Sequence, residues 1–373
     1  MKSIKIAILL GALTVLISAG CDNTKIVDSP TNEYTVPTNY SFSNVAYPGQ
    51  TVRILLLQDL VSKIAEAETK HVTELELLGI YENTINAYPE IASGKNLSGK
   101  VTAGVDSMVR NWFQELDTLS QNTGGFVTPD KRDLKQLIEK YLMGGVFYNQ
   151  ATVVYLNDIL SDKNTDPVVG QGTEMEHHWD EAFGYFGASR DYLNMNDETR
   201  ITPGESDANG DNEIDPQSEK NFYYSVTAAK RDIGSASMAA ESQTNFTDVL
   251  MGAFLEGRAA ISNNDFTTRD NSRSSILFNW EALIAATTVH YALEVKADLK
   301  TGGEDIAKHW SELKAYASML GQNPDGVISN DEYDVLMIRI GNNPSEVTVQ
   351  NLDQINQQLK SIYQFTDQQV AEW

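Results

Sequence analysis

The stretch that decides the fold reads GTEMEHHWDEAFGYFGA and covers residues 172–188. Thr173 with Glu176 three residues later is a capping-box pattern, which marks the start of a helix. Apolar side chains then recur at spacings of three and four residues, so we predict a helix over 173–188 with one buried face. That face consists of Met175, Trp179, Ala182, Phe183 and Phe186.

A narrower polar stripe runs beside this apolar face. At about 100° per residue, one imidazole, two carboxylates and one phenol fall on a single line at the edge of burial. His177 and Asp180 are predicted to point further round, towards solvent. The polar line consists of Glu174, His178, Glu181 and Tyr185.

The composition limits the classes of partner. The chain has 373 residues, enough for a sizeable core, and its 28 basic against 52 acidic residues give a net charge of −24. A surface this acidic repels phosphate backbones and anionic lipid headgroups. We therefore expect no nucleic-acid partner.

The first residues resemble a bacterial lipoprotein signal. Lys2 and Lys5 precede an apolar run over 6–17, and Ser18-Ala19-Gly20 leads to Cys21, the only cysteine. The resemblance implies that residues 1–20 are removed and that Cys21 is acylated, which anchors the chain in the cell envelope by lipid. The expected location is the outer membrane, on its periplasmic face or at the cell surface. The alternative is an ordinary signal peptide with an incidental cysteine.

The rest of the chain is predicted to be all-α. Residues 21–48 are polar and form a predicted tether, with a short ordered strand over 39–50. Residues 49–373 form the helical domain, built of antiparallel helices, and no later segment is apolar enough to cross a membrane. The predicted helices are 50–68, 71–88, 101–121, 130–160, 173–188, 217–240, 246–262, 270–299, 304–320, 329–340 and 351–363.

An internal repeat suggests a duplicated bundle. HHWDEAFGYF at 177–186 is echoed by KHWSELKAYA at 308–317, with the shared pattern H-W-x-E-x-x-x-Y. Two related halves, about 49–200 and 217–373, would be joined by an acidic loop at 203–219. The pattern is short, so a chance match is the alternative. The second copy has Lys308 where the first has His177, so a cation would favour the first.

The spacing His178-x-x-Glu181 places an imidazole and a carboxylate one turn apart, a ligand mix that divalent metals such as iron accept. Glu174 and Tyr185 would extend this set. Ligands from a second helix are also needed, and the best candidates are Glu281 and His290. The alternative is a histidine that only packs between helices. A zinc peptidase of the H-E-x-x-H kind needs a second histidine that is missing here, so we predict no enzymatic activity.

The acidic loop also resembles a calcium-binding loop. Oxygen ligands alternate along it at the spacing that wraps a Ca²⁺ ion, although Asn212 stands where glycine is usual and Glu219 comes one residue late. The alternative is a solvated acidic loop. The predicted ligands are Asp207, Asn209, Asp211, the backbone of Glu213 and Asp215.

Three segments carry a family resemblance: HWDEAFGYFG at 178–187, SFSNVAYPGQ at 41–50 and FLEGRAAI at 254–261. With them the chain resembles uncharacterised bacterial lipoproteins that contain a domain of unknown function. That family is distantly similar to the imelysin-like proteins, which are duplicated helical bundles with a G-x-H-x-x-E motif, linked to iron uptake and once regarded as peptidases. The histidine and the glutamate of that motif correspond to His178 and Glu181 in this sequence. Glu176 stands where the motif has its glycine.

These observations predict a lipid-anchored envelope protein that captures a metal, most plausibly iron, near an envelope transporter. The alternative is an outer-membrane interaction protein whose HWDE helix is purely structural. A metallopeptidase is a remote third hypothesis.

Overall fold

The computed structural model describes residues 34–122 and 124–373. The predicted signal peptide and the predicted acylation site, Cys21, lie outside these residues. Within the described part of the chain the regular secondary structure is helical, with isolated β-bridges and no β-strand. The all-α prediction is therefore confirmed.

Each predicted helix is present, although those predicted over 71–88 and 217–240 are shorter, and the short helices α3, α8 and α15 were not predicted. In chain order they are α1 (Pro48–Ala65), α2 (Glu74–Tyr81), α3 (Pro89–Ala92), α4 (Ala103–Asn122), α5 (Leu134–Leu142), α6 (Leu156–Asp158), α7 (Glu174–Phe186), α8 (Asp197–Ile201), α9 (Tyr223–Ser235), α10 (Phe246–Ser262), α11 (Phe266–Thr301), α12 (Ile306–Met319), α13 (Asn330–Ile340), α14 (Val349–Tyr363) and α15 (Gln369–Glu372).

The helix predicted over 130–160 is one continuous run with an unusual centre. It begins as α5, widens into π-helical turns at Met143–Tyr148 and Gln150–Tyr155, and ends as α6. Such turns are rare and lie frequently at functional sites. Gly144 permits close packing here, because a Cβ atom at this position would lie 2.8 Å from Met319 Cγ.

Helix α11 is the central element of the fold. It spans 36 residues, starts at the N-cap Asp265 and ends at Gly302, whose φ of 71° is left-handed. It packs against α10, α12 and α14, and the fully buried Trp280 lies near its middle. No helix in the described ranges is both long and apolar enough to span a membrane.

The segment 34–47 lies against α7. The Tyr40 ring stacks on Phe183 with centroids 3.7 Å apart. Tyr47 approaches Gly184 so closely that a Cβ atom there would lie 2.7 Å from Tyr47 Cβ. The sequence predicted a tether with a short strand, but the end of that tether is packed and irregular because its aromatic rings cover the apolar surface of α7.

Residues 34–373 form one compact unit. Helix α5, from the predicted first half, packs against α12 from the predicted second half. Their contact includes a hydrogen bond of 2.8 Å from Asp133 N to Ser311 Oγ. The two predicted halves therefore share an extensive internal contact.

Candidate functional site

Helix α7 forms as its sequence predicts. The capping box is present, because Thr173 Oγ1 accepts from Glu176 N and the Glu176 carboxylate accepts from Thr173 N. The helix ends at Gly187, whose φ of 78° favours glycine. The predicted apolar face is buried, and all of its members face the core: Met175, Trp179, Ala182, Phe183 and Phe186.

Asp180 does not point to solvent as predicted, because it forms a buried ion pair. It is fully buried and accepts hydrogen bonds from Arg258 Nε at 2.9 Å and Tyr40 OH at 2.8 Å. Burial raises the pKa of Asp180 to about 6, while Arg258 opposes that rise. Arg258 also pairs with Glu176 at 2.6 Å. These contacts fasten α7 to α10 and to residues 34–47.

His178 is held in one orientation by a second carboxylate. Its Nδ1 lies 2.7 Å from Asp162 Oδ2, and its ring stacks on Tyr155 with centroids 5.6 Å apart. An ionised carboxylate only accepts, so Nδ1 carries the proton and donates it to Asp162. The contact with Asp162 leaves Nε2 as the ring nitrogen that is available to a ligand.

Glu181 lies between the two histidines. Its Oε2 is 4.0 Å from His178 Nε2, and its Oε1 is 4.0 Å from His177 Nε2. Gln50 Nε2 from α1 donates to Oε1 at 2.8 Å and also to Tyr155 OH at 3.2 Å. We call this group the Glu181 cluster; its members are Gln50, Tyr155, His177, His178, Glu181 and Tyr185.

The predicted line of four ligands does not converge as a whole. Glu174 is exposed and its Oε2 accepts from Lys163 N at 3.3 Å, which turns it towards the preceding loop. Tyr185 points inward, where its ring stacks on Tyr155 with centroids 6.1 Å apart. Burial raises the pKa of Tyr185 to about 12. Of the predicted set, the structure brings together His178 and Glu181.

His177 joins the cluster, contrary to its predicted solvent-facing position. Its side chain is only 26% exposed, because α7 lies beneath the loop that precedes it. The loop residues 163–174 and both histidines line a cavity of about 440 Å³. Of the Glu181 cluster, the two histidines line this cavity, whereas Glu181 itself does not.

Three buried polar atoms of the Glu181 cluster lack partners within the described residues: Gln50 Oε1, His177 Nδ1 and Tyr185 OH. Buried polar atoms are nearly always hydrogen-bonded in native proteins. Their concentration around one carboxylate indicates a place for an ion, a ligand or ordered water. A complete metal cage is not formed, since no group of three or more His, Cys, Asp or Glu side chains in residues 34–122 and 124–373 is arranged to hold a metal.

The second copy of the motif repeats these contacts. His309 Nδ1 lies 2.8 Å from Asp298 Oδ2. Tyr291 OH donates to Glu312 Oε1 at 3.0 Å, and the Tyr291 ring stacks on Tyr316. The two tryptophans also match, because each indole donates to a backbone carbonyl, Trp179 to Phe254 O at 3.0 Å and Trp310 to Ile340 O at 3.1 Å.

Comparison with known proteins places the chain in a family. The profile described as a domain of unknown function, DUF4856, matches residues 122–321, which is more than half of the 373 residues. The chain belongs to the DUF4856 family. No curated protein and no solved structure matches it. Both copies of the H-W-x-E-x-x-x-Y pattern lie inside the DUF4856 region, whereas Gln50 lies before it.

Sequence reasoning missed two partners of the DUF4856 motif helix. Asp162 follows Tyr155 by seven residues and lies just after the end of α6, and Asp298 follows Tyr291 by the same spacing on α11. This repeated Y-x₆-D spacing was a usable signal. No sequence pattern pointed to Gln50, because it belongs to a helix that is distant from α7 in the sequence.

Glu281 and His290, which were expected to complete the metal site, make hydrogen bonds elsewhere in the DUF4856 chain. Glu281 accepts from the backbone of Val327 at 2.9 Å and from Tyr363 OH at 2.7 Å. His290 Nδ1 lies 3.1 Å from the carbonyl oxygen of Trp373. Both side chains thus hold the C-terminal helices against α11.

The loop predicted to bind calcium is curled around its own carboxylates. Asp207 Oδ1 accepts from Gly210 N at 2.7 Å, and Asn209 Oδ1 accepts from Asp211 N at 2.8 Å. Glu219, one residue late in sequence, folds back so that its carboxylate accepts from Asp215 N at 3.0 Å. Calcium binding at Asp207, Asn209, Asp211, Glu213 and Asp215 stays a prediction.

Proposed function

We propose that this DUF4856 protein is a cell-envelope binding protein that captures a divalent metal ion at the Glu181 cluster. The single observation that carries the proposal is the pair formed by Asp162 and His178. A carboxylate on Nδ1 fixes the tautomer and aims the Nε2 lone pair, which is the usual support of a metal-binding histidine.

The donor set supports a borderline divalent ion such as Fe²⁺ or Zn²⁺. His178 Nε2, His177 Nε2 and the Glu181 carboxylate offer two imidazoles and one carboxylate. Their separations of 4.0 Å exceed the roughly 3 Å expected between ligands with bonds of about 2.1 Å. The two imidazole ring centroids lie 6.2 Å apart, so both histidines would have to rotate towards Glu181 to share one ion.

Two of the predicted ligands, Tyr185 and Glu174, are not part of the proposed metal site. The raised pKa of Tyr185 opposes a phenolate, so a ferric–tyrosinate site gains no support. Glu174 is occupied by the loop backbone. We therefore assign His178, Glu181 and His177 as the ligands, with Gln50 and Asp162 as positioning residues.

The location of the protein is part of the same proposal. A lipid on Cys21 would anchor the chain in the outer membrane. An envelope metal transporter would then be the partner that receives the ion. The related halves of the imelysin-like proteins offer an analogy for this role, and the matching contacts at His178 and His309 support descent from a duplication.

Calorimetry with matched variants tests the metal site. We expect the purified protein to release or absorb heat with Fe²⁺ under anaerobic conditions or with Zn²⁺, and His178→Ala to abolish that heat. His309→Ala is the control, since it removes the equivalent imidazole beside Lys308. Equal binding by His178→Ala and wild type would contradict the assignment. A wild type that binds neither metal would favour the alternative, an interaction protein with a structural HWDE helix.

A further inference from the structure

A buried arginine in the second half lacks an anionic partner. Arg231 of α9 is 7% exposed, and its Nε and Nη1 atoms are buried without a hydrogen-bond partner in the described residues. A guanidinium that is buried and unpaired is strongly unfavourable, because it loses its hydration without gaining a partner. We therefore expect the Arg231 guanidinium to bind an anion.

The surroundings of Arg231 are aromatic and hydroxylic. Thr227 lies one turn earlier on α9, and its Oγ1 is 3.5 Å from Tyr316 OH. Residues one turn apart share a helix face, so Arg231 faces the same neighbours. Tyr316 and Tyr291 stack with centroids 5.5 Å apart, and both phenols act electrostatically on the guanidinium.

Two of the acidic residues near Arg231 have other partners, and a third, Glu294, acts on the guanidinium electrostatically. Asp232 accepts from the backbone of Phe246 at 2.8 Å and Thr247 at 2.9 Å, which caps α10. Glu312 is shared between Tyr291 OH at 3.0 Å and Lys140 Nζ at 3.8 Å. No carboxylate of the described residues lies within 4.0 Å of the Arg231 nitrogens.

The remaining neighbours leave a way in from solvent. Glu294 and Tyr291 are half-buried, and Lys230 is exposed. Lys230 adds a second positive charge beside Arg231, because each lies in the electrostatic field of the other. His290 adds none at neutral pH, since burial lowers its pKa to about 4. The guanidinium therefore lies just under the surface, next to an exposed cation.

We propose that Arg231, with the exposed Lys230 next to it in the chain, binds a small oxyanion. The ligand class is a carboxylate or a phosphate group. A guanidinium donates to both in a planar, charge-assisted geometry. This inference is independent of the metal site, because the Glu181 cluster belongs to the other copy of the motif.

Thermal unfolding in defined anions tests the proposal. Sodium phosphate and sodium acetate, each at 20 mM, are compared with sodium chloride of equal ionic strength. We expect the wild-type midpoint to rise by roughly 2 °C or more with at least one of them, since a ligand that binds only the folded state stabilises it. The phosphate and acetate arms distinguish a phosphorylated ligand from a carboxylate.

Three variants make the result decisive. Arg231→Met should unfold no lower than wild type in chloride and should not respond to either anion. Arg231→Lys keeps the charge without the planar fork, and calorimetry should show binding weakened roughly tenfold. Arg110→Met, which removes a surface arginine paired with Glu82 and Asp106, should respond like wild type. A wild type indifferent to both anions, or an Arg231→Met that still responds, would overturn the proposal.

Discussion

Asp162 gives His178 its chemical character, because the 2.7 Å contact fixes which ring nitrogen is free. Asp298 makes the matching 2.8 Å contact with His309. The same pair of side chains thus occurs beside His177 in one copy and beside Lys308 in the other. Lys308 adds a positive charge beside His309, whereas Arg53 and Lys100 are the cationic side chains near the first copy.

Replacing Asp162 tests this support directly. Asp162→Asn keeps an oxygen that accepts from Nδ1 but removes the charge, and we expect metal affinity to fall about 10–100-fold. Calorimetry with Zn²⁺ measures the change, and Asp298→Asn serves as the control with unaltered affinity. An affinity that survives Asp162→Asn would contradict the role given to this carboxylate.

His290 makes a pH-dependent contribution to stability. Burial lowers its pKa to about 4, against about 6.5 in the unfolded chain, so the unfolded state binds the extra proton first as pH falls. Stability is therefore lost between about pH 6.5 and pH 4, and the loss at pH 5 is about 2 kcal/mol.

The variant His290→Gln should remove most of that loss. We expect the difference in unfolding free energy between pH 7 and pH 5, measured in urea, to shrink by about 2 kcal/mol relative to wild type. His71→Gln, on the protein surface beside Asp117, provides the control. An unchanged difference in His290→Gln would show that the histidine is not buried in the neutral form.

At the scale of elements, close packing between α7 and α10 is set by glycine. A Cβ atom at Gly257 would lie 2.1 Å from Trp179 Cζ2, whereas a Cβ atom at Gly252 of the same helix meets nothing within 4 Å. Gly257→Ala should therefore destabilise the protein by about 1–3 kcal/mol in urea unfolding. Gly252→Ala should be neutral or stabilising by up to about 1 kcal/mol. Equal effects of the two substitutions would contradict the packing.

We expect the acidic loop between α8 and α9 to bind Ca²⁺. Its carboxylates already bend the backbone inward, so Ca²⁺ would replace backbone N–H groups with a stronger electrostatic partner. We expect a Ca²⁺ dissociation constant of roughly 10⁻⁴–10⁻³ M by calorimetry, with Mg²⁺ much weaker. Asp207→Asn and Asp211→Asn should each weaken binding, and Glu241→Gln, outside the loop, should not. If the loop does not bind Ca²⁺ at millimolar concentration, it is an ordinary acidic loop.

At the scale of the whole molecule, the two predicted halves are joined through α5 and α12. We expect residues 34–373 to unfold in one transition, because separating the halves would expose this buried contact. Far-ultraviolet circular dichroism and tryptophan fluorescence in urea should give coincident curves, since the five tryptophans are distributed over both predicted halves. Two resolved transitions would show that the halves are independent domains.

Local sequence determined the helices. The capping box of α7, its apolar face and the bounds of α10 follow from side chains within a few residues of each other, where backbone hydrogen bonding and helical periodicity act. The repeat at 308–317 was visible for the same reason. Predicting residues 178 and 181 as neighbours required only the pitch of a helix.

Tertiary packing decided which groups surround those side chains. Gln50 reaches Glu181 from α1, and Asp180 is buried because Arg258 of α10 meets it. Helical periodicity gives the direction of a side chain but not the helix that lies there. Asp180 thus has partners instead of facing solvent, His177 is largely covered, and the polar side chains of α7 are divided between a candidate metal site and a structural ion pair.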